Sequence, residues 1–460
     1  MGFDFQLLEN AGIQLIDGDR GKNYPKHNDF MENGYCLFLS AKNVTKSGFQ
    51  FQETAFINEI KDSQLRAGKL SYGDIILTTR GTVGNVAYYD SSNPYKNIRI
   101  NSGMIIIRAD EKLWNPKFLY FILTSGFLQE QIINLISGSA VPQLPARDIK
   151  KFILPVIGRN IQDKISNIIS AFSDKISINI DTNQTLEQMS QTLFKSWFVD
   201  FDPVIDNALD AGNPIPEALQ SRAELRQKVR NNADFKPLPA DIRALFPAEF
   251  EETELGWIPK NWHIRDFSDI AVLIKNNIKS DDICDDIHYI GLEHLERKHI
   301  FITSYGNGSD VSSNKSAFNK GDLLFGKLRP YFHKVAITPF SGICSTDILV
   351  FRAKEKFYKS LMAMYSFTDE FVAYANLRST GTRMPRAEAK DLLKYKIILP
   401  NKDILEKFEL LLEDYWAKGQ LNNNENDHLT ALRDTLLPKL ISGELSLEDL
   451  PDLVTQTEPA

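Results

Sequence analysis

Two stretches of the chain carry forked or planar polar side chains on segments predicted to be loops or helix ends. The first group is Lys42, Asn43, Arg80, Thr82, Ser139 and Gln143. The second group is Lys327, Arg329, Tyr331, His333, Lys334, Arg378, Thr380, Arg383 and Arg386. Arginine and lysine donate hydrogen bonds to guanine, whereas asparagine and glutamine pair with adenine. A single surface arginine is more often merely solvated, but two such groups at corresponding places favour contacts with double-stranded DNA.

Residue patterns typical of catalysis or metal binding do not occur in the sequence. It contains neither a G-x-x-x-x-G-K-S/T loop for nucleotide phosphates nor an N-P-P-Y-like tetrapeptide of the adenine methyltransferase kind. Cys284, His288, His294 and His299 are separated by three, five and four residues, which fits no standard zinc spacing. We therefore expect no catalytic residue, no metal and no cofactor in this chain.

An internal repeat with an offset of 243 residues relates the two groups. Five residue pairs share this offset: Pro142 with Pro385, Asp148 with Asp391, Asn179 with Asn422, Leu186 with Leu429, and Leu193 with Leu436. The period is far longer than that of a solenoid and has the size of a domain with an appendage. The simplest interpretation is a protein that recognises two separate targets held at a fixed distance from each other.

Each copy is predicted to begin with a domain of short strands and a few helices. In the first copy, strands are predicted at 35–40, 74–79, 86–89 and 104–108, with helices near 117–136. In the second copy, strands are predicted at 289–292, 322–326, 334–338 and 348–352. A Gly-Asp pair precedes one strand in each copy, at Asp74 and Asp322, and we interpret it as a turn that leads into a buried strand.

The segments that follow these two strands differ from each other. The first reads T-T-R-G-T-V-G from Thr78, with two glycines that would let the backbone approach phosphates, and the second reads G-K-L-R-P-Y-F-H from Gly326. The scaffold is thus shared and the candidate contact residues are not. Two recognition domains with different targets would show this pattern, although divergence in an unused loop would look the same.

A long helix is predicted to follow each domain. Apolar residues recur at helical spacing on one face of each helix: Ile165, Ile168, Phe172, Ile176, Leu186, Met189, Leu193 and Trp197 in the first, and Phe408, Leu411, Tyr415, Leu429, Leu432 and Leu436 in the second. Asn179 and Asn422 interrupt these faces at matching positions. Because a buried amide in a shifted alignment loses its partner, these asparagines predict an antiparallel pair with Asn179 beside Asn422.

Helices of ~33 residues are about 50 Å long, or about 15 base pairs of B-DNA. The pair could therefore measure a distance. Helical periodicity alone favours an interaction coiled coil without that role, whereas the globular domain that precedes each helix favours the measuring role.

Charge is distributed unevenly along the chain. The net charge of the whole protein is −7, but residues 1–156 carry 17 basic and 15 acidic groups, and residues 257–400 carry 21 and 16. The acidic excess lies in residues 200–256, with 12 acidic and 6 basic groups, and in residues 401–460, with 13 and 5. Since screening limits attraction to about 8–10 Å, local charge decides whether phosphates are attracted. The basic excess of the two domains is small enough to be ordinary surface variation, so it supports DNA binding only together with the repeat.

Six segments are predicted from these patterns. They are a first recognition domain at 1–156, a central helix at 157–199, a Pro-rich acidic linker at 200–256, a second recognition domain at 257–400, a C-terminal helix at 401–445 and an acidic, disordered tail at 446–460. The prolines of the linker predict a semi-rigid, mostly extended path with one short helix. The chain has no run of ~18 apolar residues and no signal-peptide pattern at its start, so we expect a soluble cytoplasmic protein.

Several short motifs, in this order, resemble the specificity subunit of type I restriction-modification systems. They are W-F-V-D-F-D-P from Trp197, L-F-P from Leu245, E-L-G-W-I-P-x-x-W from Glu254, G-D-L-L-F-x-K-L-R-P-Y from Gly321 and L-L-P-K-L-I-S-G-E-L from Leu436. The resemblance covers essentially the whole chain. The first copy departs from it, because it lacks the L-G-x-I-P-x-x-W opening of the second.

The resemblance implies an α+β protein with two mixed α/β target recognition domains, separated by two long helices packed as a pseudo-twofold symmetric antiparallel coiled coil. It implies that each domain reads one half of a split DNA target and that the helices set the spacer and dock two modification subunits. S-adenosylmethionine would then lie on those modification subunits, and ATP and magnesium on restriction subunits that join the complex. Two other functions stay open from the residues: a coiled-coil adaptor that joins two protein partners, and, less favoured, a stand-alone DNA methyltransferase.

Overall fold

The computed structural model describes residues 3–138, 142–381 and 384–447. The chain divides into two compact units: unit 1 comprises Met1–Ser177 with Asn426–Ala460, and unit 2 comprises Ile178–Glu425. The candidate contact residues Ser139 and Arg383 lie outside the described residues, as does the predicted tail from residue 448 onward.

Unit 1 contains two small sheets and several short helices. Its strands are β1 (Phe5–Leu7), β2 (Ile13–Asp17), β3 (Cys36–Phe38), β4 (Val44–Thr45), β5 (Gly48–Phe49), β6 (Phe56–Ile57), β7 (Ile75–Thr78), β8 (Val86–Tyr88), β9 (Ile98–Arg99), β10 (Met104–Ala109) and β11 (Ile153–Pro155). Its helices are α1 (Glu59–Gln64), α2 (Pro116–Thr124), α3 (Gly126–Leu135), α4 (Ala146–Ile149) and the first part of α5 (Arg159–Phe194). The larger sheet has the order β2-β10-β7-β8, the smaller one has the order β6-β3-β9, and the pairs β1-β11 and β4-β5 complete the unit. The strands predicted for this copy are confirmed.

Unit 2 repeats this plan with additional strands. Its strands are β12 (Phe250–Thr253), β13 (Gly256–Pro259), β14 (His263–Asp266), β15 (Ala271–Leu273), β16 (Asn277–Ile278), β17 (His288–Ile290), β18 (Gly306–Asn307), β19 (Lys315–Phe318), β20 (Leu323–Gly326), β21 (Val335–Ile337), β22 (Gly342–Cys344), β23 (Ile348–Ala353) and β24 (Lys396–Leu399). Its helices are α6 (Asp202–Ala211), α7 (Gln220–Arg230), α8 (Ala240–Arg243), α9 (Lys359–Ser366), α10 (Asp369–Leu377), α11 (Ala389–Leu392) and the first part of α12 (Lys402–Ser442). The sheet β15-β23-β20-β21 corresponds to β2-β10-β7-β8, and β16-β19-β22-β17-β18 corresponds to the smaller sheet. The predicted fold class, with helices and sheets in two similar domains, is confirmed.

The central strand of the larger sheet shows why its sequence is apolar throughout. β7 reads Ile-Ile-Leu-Thr, and all four residues are buried. Ile75 and Leu77 pack in one cluster with α2, whereas Ile76 packs in another with β3. Because both faces of the strand are covered, it shows a continuous apolar run rather than an alternating pattern.

The two Gly-Asp pairs have the predicted structural role. Gly73 and Gly321 adopt the left-handed conformation, with φ of 89° and 88°, and a buried strand begins two residues later in each unit. Asp74 accepts hydrogen bonds from Arg108 Nε and Nη2 at 2.7 Å each. Asp322 holds Arg352 in the same bidentate manner, at 2.7 and 2.8 Å. Each unit thus fixes the entry to its central strand with the same ion pair, in which the aspartate is buried and the arginine is partly exposed.

The two long helices run antiparallel within unit 2. Asn183 of α5 contacts the Gly419–Asn423 segment of α12, and further along α5 the ring of Phe194 lies 6.4 Å from that of Phe408. Residue numbers therefore rise along one helix as they fall along the other. The predicted antiparallel pairing is confirmed. Among the described residues, no helix is long and apolar enough to cross a membrane.

The predicted apolar face of α5 is confirmed only in part over its second half. Met189 is 42% exposed, whereas Leu186 and Leu193 are half-buried and Trp197 is buried. Polar residues are buried in this part as well, at Asn179, Asn183, Glu187 and Ser190. These side chains form hydrogen bonds at buried positions, as in the bond from Ser190 Oγ to the carbonyl oxygen of Leu186 at 2.8 Å. The polar groups that are buried here thus have hydrogen-bond partners, and a search for apolar periodicity cannot detect such positions.

A cluster of buried amides sets the register of the two helices, one turn away from the prediction. Asn422 Nδ2 donates to Asn183 Oδ1 at 2.8 Å, and Asn183 Nδ2 donates to Asn423 Oδ1 at 2.7 Å. Asn179 Nδ2 donates to Glu425 Oε2 at 2.9 Å. Asn422 therefore lies beside Asn183 rather than beside Asn179, and the expected pairing of Asn179 with Asn422 is corrected.

Replacing Asn183 by Ala is expected to lower the free energy of unfolding of unit 2 by about 1–3 kcal/mol, because the buried amides of Asn422 and Asn423 lose a partner. Urea denaturation followed by tryptophan fluorescence measures this. Four of the five tryptophans lie in unit 2: Trp197, Trp257, Trp262 and Trp416. The exposed neighbour Gln184→Ala is the control and should change the value by less than about 0.5 kcal/mol. Equal losses in the two variants would contradict the role of the amide cluster.

The acidic linker is helical rather than extended, contrary to the prediction. α6 and α7 lie side by side and are joined by ion pairs at positions four residues apart on each helix: Asp202 with Arg222, Asp206 with Arg226, and Asp210 with Arg230. Arg222 Nε and Nη2 both lie 2.7 Å from the Asp202 carboxylate. Part of the acidic excess of this segment is therefore used in internal pairing.

Candidate nucleic-acid interface

In unit 1, two segments distant in sequence meet beside the end of β7. An isolated bridge joins Arg80 to Gln143, and a second joins Gln143 to Ser137. Leu144 N donates to the carbonyl oxygen of Thr79 at 3.0 Å. The turn after β7 and the bridged residues Ser137 and Gln143 therefore lie side by side, and we call these two parts the unit 1 loop pair.

Three predicted contact residues of unit 1 occupy this loop pair and are exposed: Arg80, Thr82 and Gln143. A cleft of about 130 Å³ borders it, lined in part by Asp17, Arg20, Arg80 and Gln143. Gly81 and Gly84 adopt left-handed conformations, with φ of 76° and 98°. The arrangement offers a guanidinium and an amide on neighbouring backbones, which suits a base edge or a phosphate.

Unit 2 builds the same arrangement from different residues. Bridges join Leu328 to Arg386 and Arg386 to Thr380. Arg329 N donates to the carbonyl oxygen of Pro385 at 2.7 Å, and Ala387 N donates to that of Lys327 at 2.9 Å. Arg386 thus takes the place that Gln143 has in unit 1. We call these segments the unit 2 loop pair.

Predicted residues of unit 2 differ in how available they are. Tyr331, Arg378 and Thr380 are exposed, and the guanidinium of Arg378 lies over the ring of Tyr374. Arg386 Nε lies 3.0 Å from Asp347 Oδ1, and this hydrogen bond raises the pKa of Arg386. Arg386 would therefore have to exchange Asp347 for a base or a phosphate on binding DNA.

Asn43 and His333 are buried, so the structure does not support them as DNA contacts. Asn43 is 2% exposed, and its amide nitrogen donates to the backbone carbonyls of Gln50 and Glu53 while its oxygen accepts from Ser40. His333 is 3% exposed, and its Nε2 lies 3.0 Å from the carbonyl oxygen of Phe367. Both side chains hold the backbone in place instead.

The two remaining lysines of the prediction are engaged in different ways. The half-buried Lys334 donates to the carbonyl oxygen of Leu292, at 2.5 Å from its Nζ. Lys42 is about 70% exposed and forms a surface ion pair with Glu53, which is easily exchanged for a phosphate. Lys42 therefore remains a candidate for a phosphate contact.

Sequence reasoning missed Asp17, Arg20, Asp347 and the exposed Phe332 and Met384, which the structure places in or beside the loop pairs. Asp17 and Arg20 come from β2 and the segment after it, far from Arg80 in sequence. No local pattern indicates that β2 borders the cleft. Met384, by contrast, directly precedes Pro385 of the repeat and could have been included by position alone.

The histidines that might have suggested a metal site have other surroundings. His294 Nδ1 accepts from Gly291 N at 2.9 Å, and the ring of His288 lies 4.3 Å from that of Phe340. His299 Nδ1 lies 3.0 Å from Glu187 Oε2. Each ring is thus accounted for by a local contact within unit 2.

The environments of His299 and His333 in unit 2 predict a pH dependence of stability. The hydrogen bond from His299 to Glu187 raises the pKa of His299 above its ordinary value of 6.5, although burial opposes this. Its stabilising contribution is therefore complete below pH 6.5 and is lost as the pH rises through the raised pKa. Burial, together with the charge of Lys298, lowers the pKa of His333. That contribution is complete above pH 6.5 and is lost as the pH falls through the lowered pKa.

Unit 2 is therefore expected to be most stable near pH 6.5, the ordinary pKa of histidine. Urea midpoints measured from about pH 5 to 8 should pass through a maximum, and His299→Gln should flatten the decline on the alkaline side only. His27→Gln, a histidine of unit 1, is the control and should leave the profile of unit 2 unchanged. An undiminished alkaline decline in His299→Gln would contradict the assignment.

Comparison with known proteins places this chain in a family. The description "Type I restriction modification DNA specificity domain" matches the chain twice, at residues 11–188 and 259–431. The HindI specificity subunit of Haemophilus influenzae is 26% identical, over 93% of this chain and 98% of its own length. The MjaIX specificity subunit of Methanocaldococcus jannaschii is 25% identical, over 85% of this chain and 81% of its own length.

A solved structure agrees at the level of the fold. The S subunit of a type I restriction-modification system from M. genitalium matches with a TM-score of 0.51 and 14% sequence identity, over 96% of each chain. The two family matches each cover one recognition domain together with part of a long helix. Since these matches span more than half of the 460 residues, the chain belongs to the type I restriction-modification DNA specificity family.

Proposed function

We propose that this chain is the non-catalytic DNA specificity subunit of a type I restriction-modification complex, with unit 1 reading one half of a bipartite target and unit 2 the other. The observation that carries the proposal is the repeated loop pair. In each unit, the same strand and the same bridged loop present side chains that differ between the units, Arg80 with Gln143 in one and Arg329 with Arg386 in the other. One scaffold that offers two sets of donors suits a target with two unlike halves.

The partners in this proposal follow from the resemblance to the family. Two modification subunits would dock on the long helices and bind S-adenosylmethionine, and restriction subunits would bind ATP and magnesium. Catalysis is assigned to those partners, and the named relatives are specificity subunits. The complex would act on double-stranded DNA in the cytoplasm.

Binding to random duplex DNA tests the proposal first. The purified full chain, with and without modification subunits, is titrated with labelled duplex at several salt concentrations. We expect affinity to fall linearly in a log-log plot, by about 0.9 in slope for each phosphate contacted. A coiled-coil adaptor for two proteins would bind no duplex in either preparation. Binding of S-adenosylmethionine by the chain alone would instead favour a stand-alone methyltransferase.

The long helices are proposed to set the distance between the two half-sites. Deleting seven matched residues from both α5 and α12 removes about 10 Å of helix and should shorten the gap in the recognised sequence by about three base pairs. Mapping of methylated sites measures the gap. A control chain, in which the same segments are replaced by helix-forming residues of equal length, should keep the original gap. An unchanged gap after the deletion would contradict the measuring role.

A further inference from the structure

A short turn in the unit 2 loop pair exposes two neighbouring aromatic rings. Residues Pro330–Phe332 form one turn of 3-10 helix, in which Tyr331 is 46% exposed and Phe332 39% exposed. Their ring centroids lie 4.8 Å apart. We call residues 329–333 the aromatic turn. Adjacent exposed apolar side chains form a patch, and such patches mark binding surfaces more often than singly exposed side chains do.

The backbone at both ends of the aromatic turn is strained. Arg329 and His333 adopt the left-handed conformation, with φ of 51° and 52°, which residues other than glycine rarely do. Strain of this kind persists only where the surroundings impose it, and it is concentrated at functional sites. The protein therefore holds these two rings outward at the cost of two unfavourable backbone conformations.

Fixed contacts on both sides impose this conformation. Arg329 N donates to the carbonyl oxygen of Pro385 at 2.7 Å, which ties the first end to the neighbouring loop. At the other end the buried ring of His333 lies 3.0 Å from the carbonyl oxygen of Phe367 and 3.3 Å from Asp369. Pro330 is buried between them. The rings thus stand on a rigid base and lose little freedom on binding.

The chemistry around the aromatic turn favours DNA as the binding partner. The turn continues directly from Lys327 and Arg329, and it belongs to the loop pair proposed to contact a half-site. Met384, which is 54% exposed, precedes the Pro385 that contacts Arg329. A protein-binding patch would not require basic residues at this place, whereas a wedge that enters DNA needs basic neighbours to hold the phosphates. The corresponding turn of unit 1, T-R-G-T-V-G, contains no aromatic residue.

We propose that Tyr331 and Phe332 insert between base pairs of the half-site read by unit 2 and partly unstack one base step. This inference rests on the proposed function. Apolar side chains that enter a base step kink the duplex, and the deformation is easiest at flexible pyrimidine–purine steps such as TA and CA. Unit 2 therefore selects part of its half-site by deformability, and the half-site contains such a step at the inserted position. Unit 1 reads its half without insertion.

The test places 2-aminopurine, whose fluorescence rises on unstacking, at successive positions of the target mapped for the chain. The positions that are methylated are left out, because methyltransferases extrude their target base from the stack. The full chain is used together with its modification subunits. We expect the fluorescence to rise at one position in the half-site of unit 2 and at none in the half-site of unit 1. The double variant Tyr331→Ala/Phe332→Ala should lose this rise and bind the target about ten-fold more weakly. Its affinity for random duplex and the salt slope should stay unchanged, because no charge is removed.

Matched variants separate insertion from other roles of the turn. Tyr331→Phe/Phe332→Leu keeps two apolar side chains and should keep the rise, as should Leu255→Ala, which removes an exposed side chain elsewhere in unit 2. A rise that persists in the double alanine variant would overturn the proposal. A double alanine variant that no longer binds the modification subunits but still shows the fluorescence rise would also overturn the proposal, because the turn would then be a protein-binding surface. If the wild-type complex binds its target specifically without any rise, insertion alone fails; if it binds no specific target, the proposed function fails as well.

Discussion

Replacing Asp322 by Ala is expected to lower the free energy of unfolding of unit 2 by about 3 kcal/mol. The carboxylate is 1% exposed and accepts two hydrogen bonds from Arg352 and one from Asn319 N, at 2.7 to 2.8 Å. Its loss leaves the Asn319 amide without an acceptor and removes the counter-charge of Arg352. The side chain of Arg352 is 40% exposed and gains some water, so the loss stays at the lower end of the range for buried ion pairs.

Urea denaturation followed by tryptophan fluorescence measures this loss, because four of the five tryptophans lie in unit 2. Asp414→Ala, which removes an exposed carboxylate of α12, is the matched control and should change stability by less than about 0.5 kcal/mol. The equivalent Asp74→Ala should destabilise unit 1 instead, where Trp114 is the reporter. An Asp322→Ala protein that unfolds at the urea concentration of the control would contradict the structural role of the Gly-Asp pair.

Exchanging residues 1–156 for the corresponding domain of another specificity subunit is expected to replace one half of the recognised sequence completely and leave the other half unchanged. The physical reason is that the contacts forming each loop pair come from its own unit. Gln143 meets Arg80 within unit 1, and Arg386 meets Leu328 within unit 2. Base-edge contacts depend on these local geometries, so a new unit 1 brings its own specificity with it.

The exchange keeps the long helices of this chain, which sets a condition on the donor domain. In unit 1, Ile165 of α5 and Leu437 and Leu440 of α12 pack in the same cluster as Phe152 and Leu154. A donor domain with apolar residues of similar size at the positions of Phe152 and Leu154 preserves that packing. A control chimera that receives a closely similar domain should keep the original sequence. If both halves changed after the exchange, or neither did, the modular account would be wrong.

The elements that the sequence predicted correctly are those with a strong local pattern. β7 and β20 follow a Gly-Asp turn and read as short apolar runs, so their existence and their equivalence could be deduced. The two long helices were recognised for the same reason, since their periodicity extends over many turns. Their orientation could also be deduced, because asparagines recur at matching positions in both.

The register of the helices could not be deduced from the same residues. α5 offers Asn179 and Asn183, one turn apart, and α12 offers Asn422 and Asn423. Each alignment pairs some amides with others, and only the packed structure shows that Asn422 meets Asn183. The choice depends on Glu187 as well, whose buried carboxylate accepts from Ile300 N at 2.8 Å in another part of unit 2.

The linker shows a signal that was present in the sequence and was outweighed by its prolines. Aspartates at 202, 206 and 210 and arginines at 222, 226 and 230 recur every four residues, which is the spacing of one helical face. Pro203, Pro216 and Pro239 lie before or at the starts of helices, where they are tolerated, so the segment is helical between them. In the candidate site, Asn43 was misjudged because its cap interactions with Ser40 bury it, whereas the neighbouring Lys42 stays at the surface.

A map of methylated sites in DNA from cells that carry this chain with its partner subunits tests the central claim most directly. Two recognition domains in one chain predict adenine methylation within a single two-part sequence, with two unlike halves and a gap of constant length. The same map would contradict the account if the methylated sequence were contiguous, or if the two parts occurred at variable distances from each other.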